Sequence, residues 1–152
     1  GDVRNNMCYA WMMGAAKLGM HFVAMGPEEL AKQMDKDVVN STFAEARENG
    51  GLIEITDNKA DLKGADVIYG DVWASMGQEE EKAEREKIFK NYQINDEVMA
   101  AAKPDAMVLH CLPAHREEEI TAKVFEAHAN EIFDEAENRL HAQKAVLVKL
   151  LG

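Results

Sequence analysis

Short apolar runs alternate along this chain with longer stretches of helical period, and that alternation limits the folds open to it more than any single residue does. The runs are His21 to Met25, Leu52 to Thr56, Val67-Ile68-Tyr69 and Ala106-Met107-Val108-Leu109, with a further strand expected at Ile132-Phe133. Between them lie helical patterns. Met7, Trp11, Ala15 and Leu18 recur at three- and four-residue spacing behind a cap at Asn5 or Asn6, and Gly19 is placed to end that helix. The Gly26-Pro27 turn leads into one polar helical stretch ending at Gly50-Gly51. A short helix is expected over Lys59 to Leu62, another from Gln78 to Phe89, one capped by Asn95, one near Val124, and a long last helix carrying Leu140, Leu147 and Leu151. Parallel neighbours need a crossover connection, so the alternation predicts an α/β, three-layer Rossmann-like domain: a mostly parallel sheet with helices on both faces.

Composition narrows the function classes. With 17 Lys+Arg against 28 Asp+Glu the net charge is −11, which disfavours nucleic acid because a phosphate backbone needs a basic face. The acidic runs Glu79-Glu80-Glu81 and Glu117-Glu118-Glu119, with Glu135 and Glu137, read as solvated helix faces. Two cysteines without a CxxC spacing argue against a disulfide framework or zinc site and for a reducing, cytoplasmic setting. No apolar run approaches the ~18 residues of a membrane span. Trp11 and the Met7, Met12, Met13 group are core by spacing, so no metal or organic cofactor is expected.

In an open parallel sheet ligands bind beyond the carboxyl ends of the strands. Three segments should reach that edge: Gly1 to Asn6, Asp71 to Gly77, and His110 to Arg116. A carboxylate, a hydroxyl, backbone N–H groups and amides converging there suit a zwitterionic amino acid, with Asp71 for its ammonium. Cys111 would position a group or relay a proton. His110 and His115, on residue type alone, read as structural, as does Cys8.

The motifs Asp71-x-Trp-x-Ser-Met-Gly-Gln-Glu, His-Cys-Leu-Pro-Ala-His-Arg from His110, and Phe133-Asp-Glu-Ala-Glu-Asn-Arg139 before His141-Ala-Gln-Lys-Ala-Val146 occur in that order. Together they resemble the ornithine carbamoyltransferase family over nearly the whole chain. The resemblance implies transfer of the carbamoyl group of carbamoyl phosphate to the δ-amine of L-ornithine, giving citrulline and phosphate. It places Asn6, Asp71, Ser75 and Met76 at ornithine-binding positions, Cys111 and Leu112 on the loop that meets both substrates, and Arg139 at the arginine that reaches carbamoyl phosphate. Cys111 is then an orienting or proton-relaying thiolate, not a nucleophile, because ornithine supplies the attacking nitrogen.

By the same resemblance residues 1–152 are the second, L-ornithine-binding domain of a carbamoyltransferase. The first domain's Ser-Thr-Arg-Thr-Arg and His-Pro-x-Gln motifs do not occur in the sequence. Gly1-Asp2 stands where a strand should end, so the chain reads as a piece that is inactive alone and mainly monomeric, from a parent that is a homotrimer or higher. Two departures bear on the site: Tyr9-Ala10 replaces the family's frequent Asn-Ser, and Glu117 stands where the family usually has Gly, which would stiffen that loop. Two other readings are a carbamoyltransferase for an amine such as putrescine, against which Ser75-Met76-Gly77 speaks, and a non-catalytic amino-acid-binding module.

Overall fold

The structure, a computed structural model, describes residues 1–74 and 77–152. Helix α1 spans Asn6–Lys17, and strand β1, His21–Met25, follows a turn in which Gly19 takes a left-handed φ of 66°. A side chain there would strike the Asn49 carbonyl at 2.5 Å, so only glycine lets the two helix ends approach. After Pro27 come α2, Glu28–Ala31, and α3, Lys36–Glu48. The single helix expected over this region is broken because Asp35 turns its carboxylate back on the chain and accepts from Asp37 N (2.9 Å) and Val38 N (3.1 Å), opening a fresh helix. Strand β2 is Leu52–Thr56, and a 3₁₀ turn at Lys59–Leu62 leads to β3, Val67–Gly70. Helix α4, Lys82–Phe89, and α5, Asp96–Ala101, precede β4, Met107–His110; α6, Ala122–Ala127, and α7, Ala129–Leu151, complete the chain.

All strand pairing is parallel, as the alternation requires. Strands β1 and β2 pair with His21 beside Leu52 and Met25 beside Thr56, while β3 and β4 pair with Val67 beside Met107 and Gly70 beside His110. The expected parallel sheet is thus built as two parallel pairs, each with its own core. The first packs Val3, Met12, Ala16, Ala24, Ala46 and Ile53; the second packs Ile68, Ile94, Val108, Ile120, Phe125 and Ile132. Full burial of Met12, Val108 and Ile120 gives about 2 kcal/mol each of transfer free energy, which is what closes the helices onto the strands.

The expected strand at Ile132-Phe133 is instead the first part of α7. A short apolar pair is compatible with a strand or a buried helix turn, and here tertiary contacts decide. Ile132 is fully buried in the second core. Glu131 and Glu135, one helical turn apart, accept the edge N–H groups of Val108 (2.9 Å) and His110 (2.8 Å), so carboxylates satisfy the strand edge that another strand would otherwise cover. Beyond this docked turn every residue of α7 from 137 onward is exposed, including Leu140, Leu147, Leu150 and Leu151. Among the described residues no helix is long and apolar enough to cross a membrane.

One buried charge network ties the chain's first residues to α4. Arg85, 7% exposed, donates to Asp2 Oδ2 (2.6 Å) and to the Trp73 carbonyl, while Arg4 donates to Asp2 Oδ1 (3.0 Å). Burial pushes the Asp2 carboxyl up, but the hydrogen bonds from Arg4 and Arg85 outweigh it and hold the pKa at about 2, below its ordinary 3.8. A depressed folded pKa means that the ionised group's stabilisation is complete above about pH 4 and disappears as the pH falls toward 2. Urea unfolding followed across that window should therefore lose much of its pH slope in Asp2→Asn; an unchanged slope would show that the carboxyl is not held down.

Candidate active site

The register of β3 on β4 builds the site. Because Gly70 lies beside His110, the next residue on each strand, Asp71 and Cys111, emerge together at the carboxyl edge. Cys111 Sγ donates to Asp71 Oδ1 at 3.0 Å. The same carboxylate accepts from Val72 N (2.8 Å) and, through Oδ2, from Asn5 Nδ2 (2.7 Å). Asn5 reaches it because the first segment is anchored at the same edge, where Gly1 N donates to the Met25 carbonyl (2.6 Å). A cavity of about 100 Å³ opens between β1 and β3, lined by Asn5, Cys8, Trp11, Phe22, Tyr69 and Asp71 among others.

Electrostatics here correct one expectation. Burial first, and then the Asp71 carboxylate beside it, push the Cys111 thiol up to about 12. Beside Asp71, Cys111 is therefore a neutral thiol that donates, not a thiolate. Cys8 is raised to about 12 as well, by burial above all. Burial also pushes the Tyr69 hydroxyl up, and its ring packs on Trp11 at a centroid distance of 5.0 Å.

The other expected residues are placed unequally. Asn6 is the exposed first residue of α1, whereas Asn5 does two jobs: its Oδ1 caps the helix through Cys8 N (2.8 Å) while its amide holds Asp71. Reading Asn5 as a cap alone missed its second role, and the Asn-Asn pair, two amides at a strand edge, was the signal. Leu112 sits beside Cys111 with φ 51° and a cis bond to Pro113. Ser75 and Met76 lie outside the described residues. Arg139 is on the exposed part of α7 and makes no ion pair among the described residues, so the fold of this domain does not bring it to Asp71 and Cys111. Tyr9, a departure from the family pattern, accepts from Asp35 N (2.8 Å) and so braces α1 against the start of α3.

Within the acidic run at residues 117–119, Glu117 is exposed as its charge implied, but Glu119 is not. Glu119 is 2% exposed and accepts the His115 N–H (2.6 Å), and Glu117 Oε1 caps Ala122 N (2.8 Å) at the start of α6. His115, Glu118 and Glu119 bring ligand atoms within 4.8 Å of one another. Lys82 already pairs with Glu118 (2.7 Å), and Glu119 faces His110, so the group is occupied as an ion-pair network. Glu117 has φ 68°, the left-handed region in which glycine is at ease, so the residue that departs from the family's Gly does so at a backbone cost.

Comparison with known proteins places the fold in a family. Residues 1–150 match the family described as aspartate/ornithine carbamoyltransferase, Asp/Orn binding domain. The chain belongs to that family. Among its relatives, ornithine carbamoyltransferase of Oceanobacillus iheyensis is 49% identical over 149 residues, covering 97% of this chain and 46% of that protein. Anabolic ornithine carbamoyltransferase from Campylobacter jejuni superposes with a TM-score of 0.90 at 38% identity, covering 97% of this chain and 48% of the other. The enzyme from Pyrococcus furiosus gives 0.83 at 47% identity, with 92% and 44% covered. The chain thus spans about half the length of the relatives it matches, and the Rossmann-like fold is shared with them.

Two outcomes check the site. Asp71→Asn should speed iodoacetamide alkylation of Cys111 near neutral pH, since each pKa unit relieved raises the thiolate fraction about tenfold; Cys8 should stay slow, and an unchanged Cys111 rate would remove Asp71 as a cause. Glu117→Ala loses the α6 cap and keeps the strained backbone, whereas Glu117→Gly relieves it. Thermal unfolding should rank the glycine variant more stable than the alanine variant by about 1 kcal/mol.

Proposed function

We propose that this chain is the L-ornithine-binding domain, residues 1–152, of a carbamoyltransferase that moves the carbamoyl group of carbamoyl phosphate to the δ-amine of L-ornithine. The observation that carries this reading is the Cys111 to Asp71 contact of 3.0 Å at the carboxyl edge, with Asn5 on the opposite oxygen. Family membership and the curated relatives' names support it.

The chemistry asks for proton removal before attack. A free alkyl ammonium titrates near 10.4, so the δ-amine arrives protonated and unreactive. Asp71 attracts the cation, and an ammonium set beside Cys111 replaces the repulsive carboxylate field with an attractive one, lowering the thiol's pKa. Cys111 and Asp71 then hold and pass on the proton that the amine gives up. The freed nitrogen attacks the carbamoyl carbon, the bond from that carbon to the phosphate oxygen breaks, and citrulline and phosphate leave, with one proton released. No bond forms to Cys111. Leu112 contributes from its turn, while Asn6, Ser75 and Met76 are assigned to the amino-acid end of ornithine. Arg139 donates to carbamoyl phosphate held by a partner domain outside these residues, a task suited to a planar guanidinium. The reaction requires no cofactor. The parent works in the cytoplasm as a homotrimer or larger assembly, without nucleic acid or membrane.

The test is citrulline formation by the two-domain protein. Asp71→Ala and Cys111→Ala should each lower kcat by about a hundredfold or more while leaving the melting temperature near that of the parent. Near-normal turnover in both, or preference for putrescine over L-ornithine, would overturn the assignment. This domain alone should form no citrulline.

A further inference from the structure

His110 is fully buried directly beneath the Cys111 turn, and the proposed chemistry gives it no part. Its Nδ1 accepts the Leu112 N–H at 2.9 Å. An accepting Nδ1 has its lone pair engaged, so the ring proton is on Nε2. That nitrogen lies 3.2 Å from Glu119 Oε1, a close electrostatic contact although not an aligned hydrogen bond. Glu119 is itself buried and held by the His115 N–H (2.6 Å). The strand below makes room for the ring: a Cβ on Gly70 would come within 2.9 Å of His110 Cδ2 and of Ile94 Cδ1. The backbone N–H of His110 is meanwhile taken by Glu135 (2.8 Å), so both the main chain and the ring of this residue are pinned.

What the ring holds is an unfavourable turn. Leu112 is not glycine, yet has φ 51°, a conformation unfavourable for an L-residue that persists only where surroundings enforce it. With its N–H tied to His110 Nδ1, the peptide plane between Cys111 and Leu112 is set, and with it the direction of the Cys111 carbonyl and the backbone from which the Cys111 side chain projects. We propose that His110, braced by Glu119, is a positioning residue that orients the Cys111-Leu112 turn for the transfer reaction. The inference rests on the carbamoyl-transfer reading for its kinetic consequence, but not for its geometry. A misplacement of about 1 Å at reacting groups can cost about a hundredfold in rate, so a device that fixes one peptide plane is worth a buried imidazole.

Two substitutions separate positioning from bulk packing. In His110→Asn the amide oxygen falls near the place of Nδ1 and can still accept from Leu112, while the reach to Glu119 is lost. In His110→Gln the longer chain can reach Glu119 but offers Leu112 no acceptor at the Nδ1 position. Citrulline assays on the two-domain protein should find kcat of the asparagine variant within about threefold of the parent and that of the glutamine variant lower by about tenfold or more, at similar melting temperatures and with KM for L-ornithine changed less than kcat. Equal losses in the two variants, or wild-type kcat in His110→Gln, would overturn the proposal. Nitrogen-15 NMR of the His110 ring in this 152-residue chain provides the readout that does not depend on activity: the Nε2–H form is expected, and an Nδ1–H form would overturn the proposal. If the unsubstituted two-domain protein makes no citrulline, the carbamoyl-transfer reading fails, and the ring tautomer still decides the positioning claim.

Discussion

The parallel register of β3 on β4 does most of the organising at the candidate site. Parallel strands must be joined by crossovers, so the two strands of each pair end at the same edge, and whatever follows β3 and β4 is delivered side by side. Setting Gly70 beside His110 then determines, within one residue, that Asp71 meets Cys111. A slip of β4 by one position would turn Cys111 to the opposite face and leave the carboxylate without its thiol. Burial of Val108 and Ile68 in the second core, and the Glu131 and Glu135 carboxylates on the outer edge of β4, hold that register.

Around this edge each carboxylate is shared by two or more donors or partners. Asp2 is shared by Arg4 and Arg85, Asp71 by Asn5, Val72 and Cys111, and Glu119 by His115 and His110. Asp71 draws its side-chain donors from 40 and 66 residues away and Asp2 one of its two arginines from 83 residues away, whereas Glu119 is held by neighbours within nine residues. Isolated burial of such charges would be costly, whereas removing one partner leaves the other stranded, so these networks couple the loops to the strands below them. Cys111 shows the consequence for reactivity: burial first, and then the same carboxylate that orients the thiol, keep it protonated.

Much of this was legible along the chain. The alternation of runs located β1 to β4 and their parallel sense, the caps at Asn5 and Asn95 were readable from residue type, and the order of the Asp71, Cys111 and Arg139 motifs indicated the family. The failures have physical causes. Ile132-Phe133 carries too short a pattern to separate a strand from a helix turn, and only the placement of Glu131 and Glu135 against the β4 edge decides it. The helix after Pro27 was read as one because a single Asp35 cap inside a polar stretch gives no change in period. Glu119 looked like solvent-facing charge because its partners, His110 and His115, are invisible to a count of acids.

Local sequence by itself determined the four strands, most of the helices and where most of them start, and which residue types stand at strand ends, because these follow from periodicity, capping and turn chemistry within a few residues. Tertiary structure alone decided that Asn5 holds Asp71, that Cys111 is a neutral donor, that Glu119 is a buried anion beneath the loop, and that Arg139 stays apart on α7. Those properties depend on burial and on partners up to 66 residues away, and no window of neighbouring residues contains that information.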